Sequence, residues 1–543
     1  RKRAPLFVDE RPEIDRIVQR YQEWLAEEGR SDRIDLCRRA FAELRHKKRR
    51  WDVVVCDEVQ DLTELEVAFV LALSSRPDLA GALLTGDTQQ IVNPSGFRWA
   101  EVRRLAAKAA HLRSAPSVLR LRRNLRSVRP VVELGNALLG LRREVFGRTE
   151  EDEPEEAVLE GPVPLEIPAG EEAALAAIAG FGPRCAVLTL DDTETERLRK
   201  RLGTTRAFHV REAKGLEFET VVLWKVLNPD RDLVDRFVRG DARLEREPRF
   251  SRLLQHLYVA VTRSRRHLAI YEGGGPDPLW GQERFRGRIE RGTVEDLARL
   301  FRSTASPEEW AREGVYYFER GCFRQAAECF RRAGLLERET EALACAAEEL
   351  EDWSGALELW RSLGNEARQA PLLERLGRLE EAAALYRRAG LDGPARRCDL
   401  LLLERRKAWT EAARGWEEMG QHADAARCWA RAGADARSAA ANARAAEEAG
   451  DWSRAGASWA EIEAWEEAAR AFRAAGNARQ TAHALARFHE SREEWGRAAA
   501  AWRLAGEPEK AARGRARALE SAGRRERAAR LWEKLGEKDR AAD

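Results

Sequence analysis

The chain has 543 residues, 44% hydrophobic and 35% charged, enough for roughly three or four domain-sized units with sizeable cores. Its net charge of +2 excludes a uniformly basic nucleic-acid binder, so any basic track has to be local. No apolar run reaches the ~18 residues of a membrane span. The eight cysteines show no C-x-x-C pair and no histidine at zinc-ligand spacing, and read as reduced core residues of a cytoplasmic protein.

The sequence opens at Arg1 rather than Met, in mid-pattern, and is read as the C-terminal part of a longer protein. Residues 12–42 are expected to be helical, with Ile14, Ile17, Val18 and Tyr21 on one face, and a second helix opens at Ile34 and runs to Leu44. The basic run from Arg45 to Arg50 reads as a solvated loop. Val53-Val54-Val55-Cys56 then predicts a short strand buried on both faces of a parallel sheet, ending on Asp57 and Glu58. Ligands bind outside the carboxyl ends of such strands. Adjacent carboxylates there could divide metal binding from general-base work, although an acidic turn is the plainer reading. A helix over 63–73 precedes a second strand, 81–85, which delivers Gly86-Asp87-Thr88-Gln89-Gln90 to the same edge. Phe97 and Trp99 flank Arg98 and are candidates for stacking on the bases of a single strand, with core packing as the alternative.

A third strand is expected at 118–121, delivering Arg123-Asn124-Leu125-Arg126-Ser127, and residues 150–156 read as an acidic linker without function. Further strands are expected at 185–190, 220–224 and 267–271, with helices near 194–202 and 253–262. Between them lie Ala213-Lys214-Gly215-Leu216-Glu217-Phe218 and Tyr258-Val259-Ala260-Val261-Thr262-Arg263-Ser264-Arg265.

In this order D-E-V-Q-D, G-D-T-Q-Q, N-L-R-S, A-K-G-L-E-F and Y-V-A-V-T-R-S-R resemble motifs II to VI of superfamily 1A helicases, the UvrD/Rep group. The resemblance implies two RecA-like α/β domains, parallel sheets with flanking helices, with ATP and Mg²⁺ in the cleft between them. It implies that Asp57 holds Mg²⁺ and Glu58 is the general base. Gln90 would sense the γ-phosphate, with Arg126 and Arg263 supplying positive charge and Glu217 contacting the ribose. Asp87, Lys214 and Gly215 would line the nucleotide. It also favours single-stranded DNA as partner and 3′-to-5′ travel. The sequence departs from the family pattern in four places. No G-x-x-x-x-G-K-[ST] phosphate loop occurs, which is expected from truncation and leaves this piece without turnover of its own. Leu125 stands where the family has a stacking Tyr, and Arg211 where it has a His. Residues 128–210 are too few for the large inserted domain of processive members.

From Ser306-Pro307-Glu308-Glu309-Trp310, an N-cap followed by Pro at the first helical position, the sequence repeats. Trp353/Ala356/Trp360, Leu379/Ala382/Tyr386, Trp409/Ala412/Trp416, Trp452/Ala455/Trp459, Trp465/Ala468/Phe472 and Trp495/Ala498/Trp502 share one spacing, and helices are expected to end at Gly364, Gly390, Gly420, Gly476 and Gly506. Large residues at i and i+7 with Ala at i+3 lie on one helix face, where the small Ala admits a neighbouring helix. This resembles the tetratricopeptide pattern, although Trp409, Trp452 and Trp495 recur every 43 residues rather than the family's usual ~34. An irregular all-α solenoid is expected, its Trp residues mostly core. With the motifs upstream, the join resembles UvrD-like proteins that carry tetratricopeptide repeats, including the TPR-and-ankyrin-repeat helicase-like proteins. No ankyrin pattern is present.

The expected divisions are 1–117 and 118–272 for the two α/β domains, 273–305 for a linker and 306–543 for the repeats. The favoured function is an ATP-dependent DNA helicase or translocase whose solenoid binds a protein or peptide, with no membrane association. The alternative is a scaffold without ATPase activity that works through its repeats. A helicase–nuclease fusion is disfavoured, since no D…E-x-K constellation follows the last motif.

Overall fold

A six-stranded, all-parallel sheet is the framework of the unit Arg1–Ala346; the remainder, Ala347–Asp543, forms a second compact unit. The structure is a computed structural model and describes residues 7–47, 50–90, 98–109, 118–147, 154–302, 305–537 and 539–540. Its strands are β1 (Val54–Cys56), β2 (Ala82–Leu84), β3 (Arg123–Val128), β4 (Glu156–Leu159), β5 (Leu165–Glu166), β6 (Cys185–Thr189), β7 (Ala207–His209), β8 (Phe218–Trp224), β9 (Ser264–Tyr271) and β10 (Glu290–Arg291). The large sheet runs β10-β5-β9-β8-β6-β7, and β1-β2 and β3-β4 form two small parallel pairs.

The continuous apolar runs of β6 and β8 follow from burial on both sides of a parallel sheet. Ala186, Leu188, Val221 and Leu223 face one core with the helices Arg129–Phe146 and Pro248–Val261. Cys185, Val187, Val222 and Trp224 face the other, closed by the helices Glu171–Ile178 and Val294–Phe301. That last helix and β10 lie within 273–305, so the stretch expected as a linker is folded onto the sheet. The first repeat-like helices, Pro307–Glu319 and Phe323–Arg332, place Trp310, Tyr317, Ala326 and Phe330 in the first core, and the unit continues to Ala346.

Two strand expectations need correction. The strand at 53–56 is buried on one face only: Val53 is 70% and Val55 65% exposed. Among the described residues it pairs with a single neighbour, and the cluster of Val59, Val67, Leu71, Val102 and Ala106 covers only one side. The strand expected at 118–121 instead begins at Arg123, where β4 offers a parallel partner, and Leu119 and Leu121 are 90% and 95% exposed. The second expected helix runs Arg33–Lys47, so it takes in the start of the basic run.

Unit Ala347–Asp543 is all helical among its described residues. Helices of ten residues (Trp409–Glu418, His422–Arg431) alternate irregularly with helices of fourteen (Asp392–Arg405, Asp435–Glu448), and two short and one long make each 43-residue step. The expected helix-ending glycines all have positive φ, for instance Gly364 at 65°, while Lys407 takes the same turn at 60°. Ala356, Ala412, Ala455, Ala468 and Ala498 are fully buried, as the packing argument requires. The two aromatics of a repeat differ. The second is buried, and its indole N–H donates to a Glu twelve residues earlier: Trp416 to Glu404 at 2.7 Å, Trp429 to Glu417 at 3.1 Å, Trp459 to Glu447 at 2.9 Å and Trp502 to Glu490 at 2.7 Å. The first is half-buried, and in four repeats it lies under an Arg, as with Arg375 over Trp353 (4.5 Å) and Arg431 over Trp409 (5.0 Å).

Two measurements check this fold. Trp459→Ala should cost about 3–5 kcal/mol, read as a lower denaturation midpoint of the helical signal, because it opens a cavity and removes the indole donor to Glu447. An unchanged midpoint would show that the indole is not part of the packing. At the end of β9, burial pushes the Glu272 carboxyl up to about 8, with the nearby Asp277 carboxylate adding to the shift. The folded chain therefore keeps a proton that the unfolded chain releases above 4.5, and stability should fall as pH rises from 4.5 to about 8. Glu272→Gln should flatten that part of a melting-temperature profile against pH, and an unaltered slope would contradict the assignment.

Candidate functional site

Two loops at the carboxyl ends of β1 and β2 are tied together by one side chain. The buried Gln60 donates to Glu58 and accepts from the Asp87 amide at 3.0 Å. Gly86 is required beside it, since a Cβ there would collide with the Gln60 amide. Asp57, directly after β1, accepts from the Thr85 hydroxyl and from Glu58 N (2.9 Å), and these hydrogen bonds hold its carboxyl below the usual aspartate value. Glu58 is in the left-handed region (φ 52°), a strained position for a non-glycine residue that turns the chain directly after the metal candidate. Both carboxylates face solvent. Asp87 is different: burial raises its pKa, and the Glu155 and Glu58 carboxylates add to the effect.

The opposite wall comes from residues directly before β8 and β9 of the large sheet, together with Arg126 of β3. Arg263, 1% exposed, donates to Gln90 Oε1 at 2.6 Å, to Val259 O at 3.2 Å and to Leu216 O at 3.3 Å. Burial lowers its pKa, as does the Arg126 charge nearby, while Glu217 and Glu58 oppose the shift. Arg126 pairs with Glu217 at 2.9 Å. Lys214 reaches Asp61 of the β1 loop, and Gly215 beside it has φ 76°. Sequence segments far apart thus converge: Asp57, Glu58, Asp87 and Gln90 on one wall, Arg126, Lys214, Gly215, Glu217 and Arg263 on the other. Phe97 lies outside the described residues. Trp99 opens the helix Trp99–Ala109 and packs, half-buried, against the Val59/Val102 cluster.

Three participants escaped the sequence reading. Glu155, in the presumed linker, accepts from Asn124 and from the Tyr258 hydroxyl (3.0 Å), and its backbone pairs with Asn136. Asp61 holds Lys214. Tyr316, in the first repeat-like helix, accepts from the Glu217 amide at 3.0 Å. No local pattern marks Glu155 or Tyr316, and Asp61, the last residue of D-E-V-Q-D, has no role of its own in that reading; each acts through a contact distant in sequence.

Among the described residues, no three or more His, Cys, Asp or Glu side chains are arranged to hold a metal. The exposed Asp57 carboxylate fits a Mg²⁺ completed by water and phosphate oxygens. Arg126 is engaged by Glu217 and the buried Arg263 by Gln90, Val259 and Leu216, and nothing in the sequence supplies a glycine-rich phosphate cradle.

The fold defines a protein with a parallel-sheet body followed by a helical-repeat array. No family model matches the chain. It is similar to a human protein, "TPR and ankyrin repeat-containing protein 1", with 26% identity over 487 residues. That match covers 73% of this chain, which spans only 16% of the relative's length. The similarity supports the repeat array.

The two walls predict unequal effects of substituting their arginines. Arg263→Lys loses the buried fork and should lower stability in urea unfolding by about 2–3 kcal/mol. Arg126→Lys, half exposed, should change it by less than about 1 kcal/mol. Equal effects would mean that Arg263 is not the bridge between the walls.

Proposed function

We propose that this chain is a repeat scaffold whose helical array binds a protein or peptide partner. Support comes from the array itself: its half-buried Trp353, Trp409, Trp465 and Trp495 lie under Arg375, Arg431, Arg487 and Arg517, which spaces cationic groups along the helices. The similarity to a protein named for its TPR and ankyrin repeats agrees with this reading. The array's surface charges are largely mutually paired, as in Arg427–Glu404 and Arg470–Glu447, which leaves little counterion release to be gained on nucleic acid. No helix among the described residues is long and apolar enough to cross a membrane. Burial pushes the thiols of Cys329 and Cys428 up to about 12, which fits the reducing cytoplasm.

A second reading is favoured by one observation, the Arg263–Gln90 contact that joins the walls of the cleft. In that reading the whole protein is an ATP-dependent translocase on single-stranded DNA, of the UvrD-like helicase kind. Mg²⁺·ATP would supply the phosphoryl group; Asp57 would hold the metal and Glu58 would take the proton of the attacking water. Gln90, Arg126 and Arg263 would balance charge at the phosphate, with Glu217 at the ribose.

Glu58→Gln separates the two. As a scaffold, the protein should keep its partner, with cross-links falling on residues 347–543, and Arg431→Glu with Arg487→Glu should weaken capture by about tenfold or more. Loss of capture in Glu58→Gln, with the array charge reversals silent, would contradict the scaffold reading. If the full-length protein turns over ATP, Glu58→Gln should remove on the order of 10²–10⁴ of the rate.

A further inference from the structure

The nucleotide-cleft reading stops at Arg263, yet one wall of the cleft is held from outside it. Glu217 has two tethers. Its carboxylate pairs with Arg126 at 2.9 Å, and its amide donates to the Tyr316 hydroxyl at 3.0 Å. Tyr316 is not on the sheet; it belongs to Pro307–Glu319, the first repeat-like helix. That helix is fixed on both sides of the tyrosine. Tyr317 stacks on Phe208 of β7 (6.4 Å), and the Arg320 guanidinium lies 3.8 Å from the Tyr316 ring centroid and donates to Tyr316 O at 3.1 Å. Its partner helix, Phe323–Arg332, locks onto the chain entering β7: Glu328 accepts from Thr205 N (2.6 Å) and the Thr204 hydroxyl (2.9 Å), and Gln325 donates to Thr205 O (3.1 Å). The segment so gripped, Thr204 to His209, leads within a few residues to Lys214, Gly215 and Glu217.

We infer that Tyr316 is a positioning residue of the cleft: through the Glu217 amide, the first helical hairpin of the repeats sets the loop that carries Lys214, Gly215 and Glu217. The inference rests on the nucleotide reading for its consequence, but not for its geometry. A displacement of this hairpin therefore alters the cleft, and occupancy of the cleft must alter the hairpin in return.

The test is Tyr316→Phe in the whole chain, which removes the hydroxyl and keeps the ring under Arg320. Amide exchange at Glu217 should accelerate several-fold, while the melting temperature stays within about 2 °C. Exchange at Glu217 unchanged by the substitution overturns the inference. So does a general rise in exchange across Pro307–Arg332, which would make Tyr316 a packing residue only. A parallel titration with Mg²⁺·ATP separates the two ideas. If the cleft takes nucleotide, Tyr316→Phe should weaken binding several-fold, and in an Arg126→Ala background, where Glu217 has already lost its other tether, the added loss should be smaller. No binding by either protein counts against the nucleotide reading, while the exchange result still decides the role of Tyr316. Undiminished binding in Tyr316→Phe contradicts the positioning role.

Discussion

A guanidinium buried without any exposed surface is the constraint on which the N-terminal unit depends. Arg206 lies between the rings of Phe181 (4.9 Å) and Trp310 (4.7 Å), donates to the carbonyls of Gly182 and Phe181, and faces Glu328 at 3.6 Å. Burial works against the charge on Glu328, yet Arg206 and the hydrogen bonds from Thr204 and Thr205 keep its carboxyl below the usual glutamate value. The Glu328 carboxylate is well satisfied, whereas Arg206 keeps its Nε without a hydrogen-bond partner among the described residues, and removing either member would strand the other at a cost of about 3–5 kcal/mol. Because Arg206 directly precedes edge strand β7 and Glu328 lies in the second repeat-like helix, the pair fixes where the body of the protein ends. The edge strand has a hairpin against it rather than open solvent, which also removes a pairing hazard.

The array solves a different problem with fewer kinds of contact. Each helix is too short to be stable alone, so it depends on a small residue that lets the next helix approach and on an indole that fills the space beyond. The indole N–H would be an unsatisfied donor in that position, and the Glu twelve residues earlier accepts it. The same carboxylate then pairs with an Arg further along, as Glu404 does with Arg427 and Glu447 with Arg470. One acidic residue thereby sets both a core donor and a surface charge.

Much of this could be read from residues. The apolar run of β8, the Ser306 cap with Pro307 and Glu309, the αL glycines and the Trp/Ala/Trp spacing are local signals, and each matches its element. The motif residues stand out locally, and the structure brings Asp57, Glu58, Asp87, Gln90, Arg126, Lys214, Glu217 and Arg263 onto two facing walls. What local pattern could not give is partnership across the sequence. Val53 and Val55 read as doubly buried because three β-branched residues suit a central strand, yet their sheet has only one other strand. Residues 118–121 are mostly apolar but pair with no strand among the described residues, whereas the polar Arg123-Asn124 segment is a strand because β4 lies beside it. Glu155 and Tyr316 carry no motif, and their roles follow from neighbours about a hundred residues away.

The claim that the first repeat hairpin belongs to the sheet-containing unit is tested most directly by urea unfolding of two N-terminal pieces, one ending at Ala346 and one at Ala305. The longer should unfold in a single cooperative transition. The shorter, deprived of Glu328, Trp310 and Tyr317, should unfold at lower urea with a shallower slope and expose apolar surface to a hydrophobic dye. Matching midpoints and slopes for the two pieces would contradict the claim, and would return the hairpin to the array.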